Sequence, residues 1–167
     1  MIRLAPLIAG FMASTALVLS PLARSNPFLI WNVSPSVQVG LYTVERRAPA
    51  KHEIATLRLP PKASRLAEAR GYLPSSAWLL KPVAAESGDV VCRLGRIIFI
   101  NGHVRAKALL HDKAGRPMPG WNGCSLLRPG QYFILSKRSD SFDSRYFGAV
   151  DSQHVVGRAV LVFSLSE

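Results

Sequence analysis

From Leu4 to Ala23 the chain is an unbroken uncharged run, LAPLIAGFMASTALVLSPLA, and beyond it the apolar residues come in short bursts. At about 1.5 Å per residue such a run makes about 30 Å of helix, the thickness of a bilayer core. It therefore predicts a transmembrane helix within residues 1–25. A cleaved signal peptide is the alternative, but the run is long for one, and Pro21-Leu22-Ala23 is a poor small-x-small cleavage site.

The bursts that follow have the length and spacing of β-strands. Leu41–Val44, Ile54–Leu59, Trp78–Val83, Val90–Leu94 and Ile97–Ile100 are candidates, followed by Tyr132–Leu135 and the longer run Val155–Phe163. Asn101-Gly102, between Ile97–Ile100 and His103–Lys107, is a two-residue hairpin signal. One short helix is predicted over Ala63–Arg70, punctuated by Pro60-Pro61 before it and Gly71 after it. From Gly102 to Pro129 strand patterning is weak and Gly and Pro are frequent. The expected architecture is a mainly β domain over residues 26–167 with a small inserted subdomain at about 102–129.

Composition adds little to that picture until charge and cysteine are considered. At 167 residues the chain suits one domain, and part of its 49% apolar content belongs to the N-terminal run. A net charge of +11 raises the question of nucleic acid. The basic residues are scattered, however, and no aromatic residues interleave with them as a stacking platform requires. A basic domain held beside anionic headgroups is the simpler reading. Flanking charge does not settle orientation, because Arg3 lies before the run while Arg24, Arg46 and Arg47 lie after it. Cys92 and Cys124 lack CxxC spacing and a zinc-like His/Cys set. If they bond, closing a loop of about 33 residues is worth about 3.5–4 kcal/mol, and an oxidising compartment follows. Two reduced core thiols are the alternative.

Four segments carry candidate chemistry: Asn32–Tyr42, Leu80–Val91, Ser139–Gly148 and Val155–Ala159. Each alone has an ordinary explanation as a turn or a solvated strand end. His52, His103, His111 and His154 are dispersed, and neither a metal-ligand spacing nor a Gly-rich phosphate loop is present. No metal or cofactor is expected. Lys81 stands out because it is the one charged residue between Arg70 and Glu86, in the apolar setting Trp78-Leu79-Leu80 and Val83-Ala84-Ala85. A free lysine with pKa near 10.4 is only about 0.04% neutral at pH 7, and burial lowers that pKa by up to several units.

Taken in order, these segments resemble the type I signal peptidases, and more closely their TraF-type conjugal-transfer branch of pilin peptidases. In that branch Asn-x-Ser-x-Ser leads to Gly-Leu-Tyr, as residues 32–42 do; a lysine opens a strand leading to Gly-Asp, as Lys81–Asp89 do. Asp-Ser-x-Asp-Ser-Arg-Tyr-x-Gly closes the set at Asp140–Gly148, and the paired cysteines Cys92 and Cys124 flank Gly115-Arg116-Pro117-Met118-Pro119. The likeness extends over about residues 26–163.

The resemblance implies a signal-peptidase-like β catalytic domain and a serine peptidase with a Ser-Lys dyad. Ser36 is then the nucleophile and Lys81 its base. Ser34 supplies an oxyanion donor together with the Ser36 N–H, and Ser141 orients the lysine amine. Asp143 and Arg145 form a structural ion pair, with a direct catalytic role for Asp143 as the alternative. A disulfide between Cys92 and Cys124 staples the inserted subdomain. The implied setting is the inner membrane, single-pass, with the catalytic domain in the periplasm and a membrane-inserted pilin precursor as substrate. Whether water or an amine resolves the acyl-enzyme, giving a linear or a cyclic product, stays open. A general signal peptidase and a non-catalytic periplasmic scaffold are the rivals. Three departures stand against the family pattern: Gln38 where Pro is usual, Pro82 where Arg is usual, and Leu135-Ser136-Lys137 where Gly-Asp-Asn is usual.

Overall fold

The computed structural model describes residues 28–164. The expected transmembrane helix lies outside them, and among the described residues no helix is long and apolar enough to cross a membrane.

The alternating bursts become two antiparallel sheets. The larger has seven strands in the order β1-β2-β11-β3-β4-β9-β10. These are β1 (Leu29–Asn32), β2 (Gly40–Glu45), β3 (Ile54–Leu57), β4 (Leu79–Ala85), β9 (Gln131–Ile134), β10 (Val150–Asp151) and β11 (Val155–Ser164). The smaller has the order β7-β6-β5-β8, from β5 (Val90–Leu94), β6 (Ile97–Ile100), β7 (His103–Lys107) and β8 (Gly123–Leu126). Register shifts in β11 and at β4–β9 kink the larger sheet, as bulges do. One buried cluster joins Ala55, Leu57, Val83 and Ile134 beneath the helix; a second joins Val91, Ile98, Leu127 and Phe133 where the two sheets meet.

The helix α1 (Pro61–Ala69) starts with Pro at its first turn, where the missing N–H costs nothing, and buries Ala63 and Ala67 against the first cluster. At the predicted hairpin Asn101 and Gly102 both take positive φ, 51° and 78°, as a primed turn demands.

The small sheet takes in more chain than the stretch 102–129 expected for the insertion, because β5 and β6 already belong to it. Cys92 in β5 lies directly opposite Cys124 in β8, and the two form a disulfide with Cα atoms 4.0 Å apart. It is thus a cross-strand staple inside a regular sheet rather than a clasp around a loop. Strand β7 is the hairpin arm expected after Asn101-Gly102, whereas β8 escaped the hydrophobic pattern because Cys124, Ser125 and Leu126 are all exposed, leaving no buried face to read.

Candidate active site

Ser36 lies in the loop between β1 and β2, whose strands pair through Asn32 and Gly40. Asn32, almost buried, organises this loop from its base. Its amide donates to the carbonyls of Ser34 at 2.8 Å and Gln38 at 3.0 Å, and its carbonyl accepts the Ser34 N–H at 3.1 Å. The buried Tyr42 hydroxyl donates to the same Gln38 carbonyl at 2.8 Å. These bonds hold the Gln38 main chain in place without the proline ring usual at that position. Gly40 follows with φ of 154°, and a Cβ there would collide with the Phe163 carbonyl. The loop's exit thus requires glycine.

Lys81 projects from β4 opposite Ala55 of β3. Strand alternation sends Leu79, Lys81 and Val83 to one buried face, so the sequence places a cation where apolar side chains belong. Its amine lies 2.6 Å from Ser36 Oγ and 2.6 Å from Ser141 Oγ, with the residue only 6% exposed. Burial pulls the lysine pKa down from 10.5 to about 8; the Asp143 carboxylate opposes this, and the Arg145 guanidinium offsets Asp143. Ser36 and Ser141 hydroxyls are themselves 3.5 Å apart, which makes a compact triangle around the amine. The Ser34 hydroxyl donates to Ser36 Oγ at 3.1 Å and accepts the Ser36 N–H at 3.4 Å. The two groups expected to bind an oxyanion therefore sit together, engaged with one another and with the nucleophile.

The third corner is built by the segment after β9. Asp143 caps the short helix α2 (Ser144–Phe147), accepting the Arg145 N–H at 3.2 Å. Its carboxylate receives the Arg145 guanidinium through two bonds of 2.7 and 3.0 Å, and both side chains are essentially inaccessible to solvent. Arg145 also donates to the carbonyls of Ser136 at 2.7 Å and Ser139 at 3.1 Å, and Asp143 accepts the Ser136 N–H at 3.0 Å. The pair thus pins both ends of the loop that carries Ser141. The small sheet braces it from behind, where Arg93 donates to the Arg145 carbonyl at 2.6 Å and Trp121 to the Ser144 carbonyl at 3.0 Å.

All six catalytic and supporting positions expected from sequence gather here. Ser136 joins them unannounced. Its hydroxyl donates to the carbonyl of Ser36 at 2.9 Å, tying the nucleophile's own backbone to the segment held by Asp143 and Arg145. The available signal was the departure Leu135-Ser136-Lys137, where a carboxylate or amide is usual. Ser136→Ala is expected to lower the rate of any reaction at Ser36 by about 10-fold, since small misplacements of a reacting group are costly. Substrate affinity should change little. Separate kcat and KM values, with a melting curve to show an intact fold, check this.

Two clefts meet at Ser36. One, of about 920 Å³, runs between Val37, Ile54, Val83 and Leu135, with Arg105 and Lys137 on its walls. The other, of about 690 Å³, passes Lys81 and Ser141 toward Tyr72, Trp78 and Tyr146. A polypeptide threading both would carry a carbonyl past the Ser36 hydroxyl.

A model of the signal peptidase family, peptidase S26, matches residues 1–164. The conjugal transfer protein TraF of Agrobacterium fabrum is 33% identical over 168 residues, covering 94% of this chain and 92% of that protein. A probable conjugal transfer protein TraF of Sinorhizobium fredii is 34% identical, covering 77% of this chain and 73% of its own. A plasmid transfer protein TraF of Escherichia coli is 30% identical, covering 75% of this chain and 77% of its own.

Proposed function

Because the chain belongs to the signal peptidase family, peptidase S26, we propose that it is a membrane-anchored serine endopeptidase of conjugal transfer, with Ser36 as nucleophile and Lys81 as general base. Its substrate is a membrane-inserted pilin precursor, and its catalytic domain faces the periplasm. The uncharged run Leu4–Ala23 supports the anchor, and the Cys92–Cys124 disulfide supports an oxidising compartment. Relatives named for conjugal and plasmid transfer support the pathway.

One observation carries the chemistry: an almost buried amine with its pKa pulled to about 8 touches the Ser36 hydroxyl at 2.6 Å. With that pKa, about a tenth of the amine is neutral at pH 7, several hundred-fold more than for a free lysine. The neutral amine takes the Ser36 proton as Oγ attacks the peptide carbonyl, and it keeps its remaining hydrogens directed by Ser141. The resulting oxyanion is met by the Ser36 N–H and the Ser34 hydroxyl, which exchange their mutual bond for bonds to it. The ammonium returns its proton to the leaving amine, and an acyl-enzyme remains. Water or the precursor's own amino group then displaces Ser36 Oγ.

The base works only when neutral, so activity should rise with pH. Below about pH 8 each unit should cost about tenfold in kcat/KM, with a plateau above. The full chain in detergent, incubated with pilin precursor between pH 6 and 10, tests this. A flat profile across that range would argue against Lys81 as base. The mass of the product separates the two fates of the acyl-enzyme, since a cyclic product lacks one water.

A further inference from the structure

The two clefts that meet at Ser36 differ in how their charges are answered. In the cleft toward Tyr72 and Trp78 every lining Arg and Lys apart from the buried Lys81 itself faces a carboxylate. Arg70 and Arg116 lie 3.7 and 2.7 Å from Asp112, and Lys113 and Arg138 lie 3.5 and 2.8 Å from Asp140. That cleft presents compensated charge and aromatic surface. The cleft between Val37 and Leu135 has no carboxylate among its lining residues. Of its cations only Arg138 is bound by a carboxylate, that of Asp140. Arg105, on β7 of the small sheet, and Lys137, on the active-site loop, are exposed and have no ion-pair or hydrogen-bond partner among the described residues. Two different elements thus contribute uncompensated cations to one trough leading away from the nucleophile. A trough of one sign with apolar walls focuses its field on whatever occupies it.

Resting on the peptidase reading, we propose that this cleft holds a carboxylate-bearing flank of the scissile segment, with Arg105 and Lys137 meeting the anion. The two cations make one acidic group near the cleavage point a determinant of substrate choice. The carboxylate belongs either to an Asp or Glu side chain or to a free C-terminus. In both cases the recognition is Coulombic and partly exposed, so it is modest and sensitive to salt.

The test uses the full chain carrying Ser36→Ala and fluorescent peptides spanning a cleavage site. One peptide is neutral and amidated. Others carry a single Glu on the amino side or on the carboxyl side, or end in a free carboxylate. The acidic peptide that fits should bind about 3- to 10-fold tighter than the neutral one at low salt, and the gain should shrink as salt rises. Whichever peptide shows the gain identifies the source of the carboxylate. Adding Arg105→Gln and Lys137→Gln should erase the preference, whereas Lys62→Gln with Arg65→Gln, an equal charge loss on the exposed face of α1, should keep it. Equal binding of all peptides, or an equal loss from the α1 pair, overturns the proposal. Cleavage of none of the peptides by the unmutated protein would count against the peptidase reading instead, and the binding comparison would stand unaffected.

Discussion

Lys81→Met is expected to abolish precursor processing while leaving the fold as stable as before or more so. The amine at position 81 has its folded pKa at about 8, below its ordinary 10.5. The buried charge is therefore a cost to folding: absent above about pH 10.5, growing as pH falls through that interval, and fully present below about pH 8. The shift corresponds to at most about 3 kcal/mol. Methionine fills a similar volume without charge, though it forfeits the bonds to Ser36 and Ser141, so the net gain at pH 7 should be smaller. Processing by Lys81→Met and by Ser36→Ala should each fall by a factor on the order of 10⁵ or more, and the double variant should be no worse than either. Urea unfolding at pH 7 and pH 11 alongside the processing assay would check both halves. Substantial processing by either variant would end the assignment of this dyad.

The second large effect is on stability. Asp143→Ala should destabilise the protein by about 3–5 kcal/mol, because it strands the Arg145 cation in a site that is 1% exposed. It also removes the acceptor of the Ser136 N–H. Replacing both members of the pair by apolar residues of similar volume should recover much of the loss, and denaturant midpoints of the three variants measure it. Asp143→Asn separates the structural role from a catalytic one. It keeps one acceptor oxygen for the bonds that Asp143 makes to Ser136 and Arg145, though it leaves the guanidinium charge unanswered as alanine does, and no hydrogen bond joins Asp143 to Lys81 among the described residues. A positioning role therefore predicts that activity falls in step with stability. Loss of activity with a fully stable fold would instead make Asp143 a participant in the reaction.

Much of this molecule was legible from local pattern. Strand positions such as Ile54–Leu57 and Ile97–Ile100, the turn at Asn101-Gly102 and the proline-initiated helix follow from side-chain periodicity and backbone preference, which act within a few residues. The order of segments around Ser36, Lys81 and Asp140–Gly148 was legible as a family resemblance. The extent of the small sheet was not, since an exposed strand such as β8 leaves no hydrophobic alternation. Ser136 was marked only as part of a departure from the family pattern, because its bond to a carbonyl 100 positions away is set by tertiary packing.

By itself, then, the sequence determined the strands, the punctuation and the chemical identity of the groups available, Lys81 in an apolar strand above all. Only the tertiary structure decided that this amine touches hydroxyls 45 and 60 positions distant, and that it does so almost without water. The reason is that propensity and periodicity are properties of neighbouring residues, while desolvation is set by everything packed around a group. The same holds for the two clefts, whose charges are paired in one and open in the other only because separate loops and sheets bring them there.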